Sequence, residues 1–136
     1  MKRIILPFLA SILFCACTEN EELSCDEKVC TMQFESVNVK FIDSNGSPLI
    51  VKDYQSSNLR TGKFLSVTTA VDTIRAKGFY TVASDVNLKE LNTSDKILVS
   101  AKHPVTNVLK QAEFTISGGE CACHVGKIAG PDTIRF

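Results

Sequence analysis

Six cysteines and two histidines are the residues of this sequence best suited to chemistry, and their positions sort them into separate tasks. Cys15 and Cys17 end an apolar N-terminal run. Cys25 and Cys30 follow a short acidic stretch, and Cys121, Cys123 and His124 lie close together near the other end. Sulfur in such settings can carry a lipid, close a disulfide or bind a soft metal. His103 precedes Pro104 where a turn is expected, and a structural role goes with it.

Four cysteines outside the N-terminal run form an even set, the mark of a disulfide framework, and four permit three pairings. Residues 120–125 read as a strand, which would turn Cys121 and Cys123 to one face with Cα atoms about 6.5 Å apart, an unsuitable geometry for a bridge. The expected arrangement therefore joins each of them to one of Cys25 and Cys30, with the choice of partner open. The alternative is a zinc or copper site built from Cys25, Cys30, Cys121, Cys123 and His124. Strand alternation would turn His124 away from its neighbouring cysteines, and paired C-x-x-C knuckles are missing.

The N-terminus reads as an address. Met1-Lys2-Arg3 is cationic and residues 4–16 are almost wholly apolar, the pattern of an export signal. Thirteen helical residues rise only about 20 Å, too little for a hydrocarbon core of about 30 Å. The ending Ile12-Leu13-Phe14-Cys15-Ala16-Cys17 resembles a bacterial lipobox. That resemblance implies removal of residues 1–16, a diacylglycerol on Cys17 and anchoring to a membrane without crossing it. Thr18-Glu19-Asn20-Glu21-Glu22 resembles the acidic export tag of surface lipoproteins of Bacteroidota-type bacteria. Thr18 rather than Asp follows Cys17, so the inner-membrane retention signal is absent and the outer membrane is expected, facing the periplasm or the cell surface, with residues 17–24 as a lipidated tether and 25–136 as one domain.

That domain reads as strands. Candidates are residues 32–41, with a bulge near Glu35-Ser36, then 49–51, 64–71, 79–83, 96–101, 105–109, 112–116, 120–125 and 133–136. Asp43-Ser44-Asn45-Gly46-Ser47-Pro48 is a turn, and Gly118-Gly119 is expected to turn a hairpin. Residues 54–62 form the longest polar stretch and read as an exposed loop. Residues 85–92 are the single helical candidate, capped by Ser84 or Asp85 and too short to stand alone. Tyr80 is expected to face opposite Phe79, toward solvent. Short strands between turns predict an all-β fold, an antiparallel sandwich of about seven to eight strands.

Val39-Lys40-Phe41-Ile42-Asp43-Ser44-Asn45-Gly46-Ser47-Pro48-Leu49 resembles the opening hairpin of transthyretin-like and carboxypeptidase-regulatory-like domains, and Gly78-Phe79-Tyr80-Thr81-Val82 resembles their later Gly-aromatic strand. The resemblance implies an immunoglobulin-like sandwich and carries no activity with it.

Fifteen Lys+Arg balance fifteen Asp+Glu, so the chain lacks the basic footprint of a nucleic-acid binder. None of the common nucleophile-elbow, zinc-protease, phosphate-loop or dinucleotide motifs is present, so no catalytic residue and no cofactor is expected. The sequence thus predicts an extracytoplasmic lipoprotein that binds or scaffolds a protein or envelope partner. The metal-handling alternative rests on the cysteine group. An enzyme would require His124, a carboxylate and a nucleophile to converge.

Overall fold

Val37, Val39 and Phe41 are buried while Ser36 and Asn38 between them are exposed, the period of two that a half-buried strand requires. The same alternation runs through Asp95–Lys102, where Ile97, Val99 and Ala101 are fully buried. Such patterning can be satisfied only by packing one sheet face against another. The computed structural model describes residue 25 and residues 28–65 and 77–136. Cys17, the expected signal 1–16, the tether 17–24 and part of the expected strand 64–71 lie outside the described residues.

Among the described residues there are seven strands: β1 (Ser36–Ile42), β2 (Lys52–Asn58), β3 (Phe79–Ser84), β4 (Asp95–Lys102), β5 (Leu109–Ser117), β6 (Gly126–Ala129) and β7 (Thr133–Arg135). A 3-10 helix, Asp85–Glu90, follows β3. The strands form two sheets, ordered β3-β1-β7 and β2-β4-β5-β6. Every pairing is antiparallel except β1 with β7, which is parallel. One core lies between the layers, with Val39, Phe41, Val82, Ile97, Val99, Phe114 and Ile116 fully buried. Each such side chain contributes about 1.5–3 kcal/mol relative to exposure. The fold is the expected all-β sandwich.

Several elements differ from the sequence reading. β1 starts at Ser36, because Met32 and Phe34 find no core and stay exposed, and its register shift falls between Val37 and Asn38. Residues 49–51 form no strand of their own. The polar stretch read as a loop supplies β2 instead, since its side chains reach across the layers. Tyr54 OH donates to the Thr81 carbonyl at 2.7 Å and Ser56 Oγ to the Val82 carbonyl at 2.6 Å. Burial pushes the Tyr54 phenol up, with Tyr80 nearby adding to it, so it stays a neutral donor. Tyr80 is buried and Phe79 is the more exposed of the two, the reverse of expectation. The Tyr80 hydroxyl accepts the Val51 N–H at 2.9 Å, which is what lets a phenol sit inside.

Residues 105–109 are mostly turn rather than strand. His103 Nδ1 accepts the N–H groups of Val105 and Thr106 at 3.2 and 3.1 Å, and Asn107 takes φ 57°. The role assigned to His103 is thus structural. Asp43 Oδ1 accepts the Asn45 and Ser47 N–H groups at 2.9 and 2.8 Å, and Gly46 supplies φ 87°, so the turn at 43–48 forms as expected. Residues 120–125 are irregular, and β6 begins after them. Gly118-Gly119 open this longer connection rather than a tight hairpin. Gly118 packs where a Cβ would stand 2.7 Å from Leu91 Cβ.

Among the described residues, one charge is buried. Asp95, at 2% exposure, receives Arg60 Nε on Oδ1 and Nη2 on Oδ2, both at 2.7 Å. Asn58 Nδ2 and the Asn92 N–H also donate to Oδ2, at 2.8 and 3.0 Å. The Arg60 guanidinium, against the opposing effect of burial, and then Asn58 and Asn92 hold the carboxyl down at about 2, from an ordinary 3.8. A depressed folded-state value means that this contribution is complete above 3.8 and is lost as pH falls toward about 2. Asp95→Ala leaves the buried Asn58 amide unpaired and lowers unfolding free energy by about 2–3 kcal/mol. Urea melts from pH 5 to pH 2 check this: the wild type loses stability across that range, and the variant has a flatter acid limb.

Candidate functional site

Residues 28–34 bury very little, for Val29 and Met32 are 98% and 105% exposed. A segment this poor in contacts needs another means of attachment. Covalent sulfur supplies it. Cys25 is bonded to Cys121 and Cys30 to Cys123, each pair with Cα atoms 5.2 Å apart. The N-terminal segment therefore lies as a strap on the β5–β6 connection, in the cross-linked arrangement expected from the cysteine count. Both cysteines of the connection serve although it is not a strand, so strand alternation is not what orients them.

Beside the second bridge, three side chains from distant positions meet. His124 Nδ1 lies 2.7 Å from Asp85 Oδ2, and His124 Nε2 lies 2.8 Å from Thr31 Oγ1. Asp85 is the first residue of the 3-10 helix, after Ser84 as the cap. Its carboxylate also accepts the Glu35 N–H on Oδ2 and the Val125 N–H on Oδ1, both at 2.9 Å. Asp85 thus ties the strap, the helix start and the connection together. Burial pushes its carboxyl up, but the bonds from His124, Glu35 and Val125 outweigh this and hold it below the usual range. An ionised carboxylate only accepts, so it fixes a proton on His124 Nδ1, and in the neutral ring Nε2 then accepts from the Thr31 hydroxyl. The ring is 23% and the carboxylate 14% exposed, whereas Thr31 faces solvent.

The same strap and connection border a hollow of about 450 Å³. Lys28 and Lys89 stand at its wall with Leu91, Asn92, Gly118 and Cys121. Lys28 Nζ reaches the Cys121 carbonyl at 3.5 Å. This end of the sandwich therefore combines a polar array with a hollow carrying two cations and one carboxylate, Glu120.

The expected site residues distribute as follows. Cys25, Cys30, Cys121 and Cys123 come together, but as disulfides, so a zinc or copper site on them would first require both bridges to be reduced. Among the described residues, no three His, Cys, Asp or Glu side chains are grouped to hold a metal ion. His124 bonds to Asp85 and Thr31, partners that the sequence did not indicate. Asp85 was legible only as a helix cap, and Thr31 carried no signal at all. Their separations from His124, 39 and 93 residues, belong to no local motif.

The two bridges form a ladder, and their energies are coupled. Either one alone closes a loop of more than ninety residues, worth about 4.7 kcal/mol by chain entropy. With one in place, the other closes a ring of only about nine residues, worth about 2.5 kcal/mol. Replacing one pair by serines is expected to cost about 2–3 kcal/mol and replacing both about 7 kcal/mol, as read from denaturant midpoints. A double-pair loss equal to the sum of the two single-pair losses would contradict the ladder.

Compared with protein-family models, curated proteins and solved structures, the chain matches none of them.

Proposed function

We propose that the chain is a membrane-anchored extracytoplasmic lipoprotein whose sandwich works as a binding or scaffolding accessory module. The observation that carries this reading is the pair of bridges on Cys25 and Cys30. Stable disulfides belong to oxidising compartments outside the cytoplasm, in agreement with an export signal and a lipid on Cys17. The outer membrane is the anchoring site that the acidic stretch after Cys17 favours, and an immunoglobulin-like arrangement fits the two-sheet core.

The tether gives the domain an orientation. Residues 17–24 span at most about 28 Å, and the chain is fixed again at Cys25. The stapled end would then face the membrane. The turns at 43–48 and 104–108 would face away, since β4 runs from Asp95 beside the 3-10 helix to Lys102 beside His103. Asp43, His103 and Phe136 border a hollow of about 300 Å³ at that far end. Val105, Val108 and Leu109 are exposed there at 79%, 52% and 52%, a concentration of apolar surface suited to a protein partner.

Two measurements test this. Intact mass of the protein extracted from membranes is expected to give a chain starting at Cys17 and carrying acyl groups. An unacylated chain starting elsewhere overturns the anchor. A photo-reactive residue at position 105 is expected to cross-link one discrete protein in intact cells, whereas the same residue at position 89, on the membrane-facing end, does not. Identical patterns from both positions overturn the assignment of the far end as the contact surface.

A further inference from the structure

Nothing in an accessory module requires a carboxylate, an imidazole and a hydroxyl to line up in series. Asp85, His124 and Thr31 do so at 2.7 and 2.8 Å. Each has the bonding its place in such a series needs. The carboxylate is fixed by two backbone N–H groups and shielded, the ring is held by both nitrogens, and the hydroxyl is at the surface. The Cys30–Cys123 bridge joins the residues immediately before Thr31 and His124, so the contact between hydroxyl and ring is backed by a covalent clamp. Fixing reacting groups in advance is how proximity lowers a barrier.

We infer that Thr31 is a nucleophile, His124 its general base and Asp85 the residue that orients the base, together accepting an acyl group from a carboxylic ester. In the first step Thr31 Oγ attacks the ester carbonyl and its proton passes to His124 Nε2. The bond from carbonyl carbon to alcohol oxygen then breaks, and the alcohol leaves with that proton. Water attacks the acyl-threonine with its proton taken by His124. The carboxylic acid departs, and Thr31 Oγ recovers its proton. The balance is ester plus water to acid plus alcohol, with no other reactant.

The neighbouring hollow provides room for the substrate. Lys28 on its wall is three residues from Thr31, at most about 11 Å of chain, and His124 is three residues from Cys121, which also lines it. Lys28 and Lys89 favour an ester that carries negative charge, and Leu91 offers an apolar contact to its acyl part. This inference does not depend on the anchor at Cys17 or on a partner at the far end, and it is tested on the purified, oxidised chain.

A fluorophosphonate probe reads the nucleophile directly, because Oγ attack displaces fluoride and leaves a stable mass adduct. The expected result is one adduct per chain, mapped by peptide mass to Thr31, absent in Thr31→Ala and retained in Thr31→Ser. His124→Asn is expected to slow labelling by about 10²-fold or more. The double variant Cys30→Ser, Cys123→Ser, in which the Cys25–Cys121 bridge remains, is expected to slow it as well. Thr31 is exposed, so its variants keep the fold, and cooperative denaturant melts verify this. No adduct on Thr31, or labelling of His124→Asn at the wild-type rate in a folded protein, overturns the inference and leaves the array as a hydrogen-bonded strut.

Discussion

Two sulfur–sulfur bonds are the constraint on which one whole end of this molecule depends. The sandwich core holds itself together by burying alternate side chains of both sheets. The strap has no such resource, since its apolar residues Val29, Met32 and Phe34 are exposed. Without Cys25–Cys121 and Cys30–Cys123, the remaining links would be a few hydrogen bonds, among them those of Thr31 with His124 and of Glu35 with Asp85. Individually these contribute about 1 kcal/mol, too little to order a segment of this length against its entropy. The bridges make those hydrogen bonds persistent, and the hydrogen bonds in turn give the strap one definite path.

Much of the architecture was legible because hydrophobic alternation is a local signal. β1 and β4 carry it plainly, and the turn at 43–48 carries its own chemistry in Asp43 and Gly46. β2 was illegible for a physical reason. Its inward residues after Tyr54 are Ser56 and Asn58, and what makes them fit a core is a hydrogen bond to Val82 and another to Asp95, partners 26 and 37 residues away. Residues 105–109 misled in the opposite sense, because β-branched and aliphatic side chains occupy a turn imposed by the His103 ring and Asn107. Tyr80 shows the same limit: alternation separates it correctly from Phe79, but only the Val51 N–H decides which of the two goes inside.

The candidate site was legible in part. The cysteine count pointed to bridges between the two ends of the chain, though not to which cysteine meets which. The array of Asp85, His124 and Thr31 was invisible, since it depends on the strap crossing the β5–β6 connection at one register. Buried and half-buried carboxylates in this fold also divide their work. Asp95 is consumed by Arg60 and Asn58 within the sandwich, while Asp85 joins separate segments and leaves a ring nitrogen directed at the surface.

The parallel pairing of β1 with β7 has a consequence for biogenesis. β1 lies between β3 and β7, so its outer partner is made more than ninety residues after it. The native sulfur partners of Cys25 and Cys30 likewise emerge more than ninety residues after them. Oxidation in that interval would join early thiols to each other, a bridge the finished protein does not contain. Under oxidising conditions such a premature ring must be reopened by thiol–disulfide exchange before each sulfur reaches its late-arriving mate.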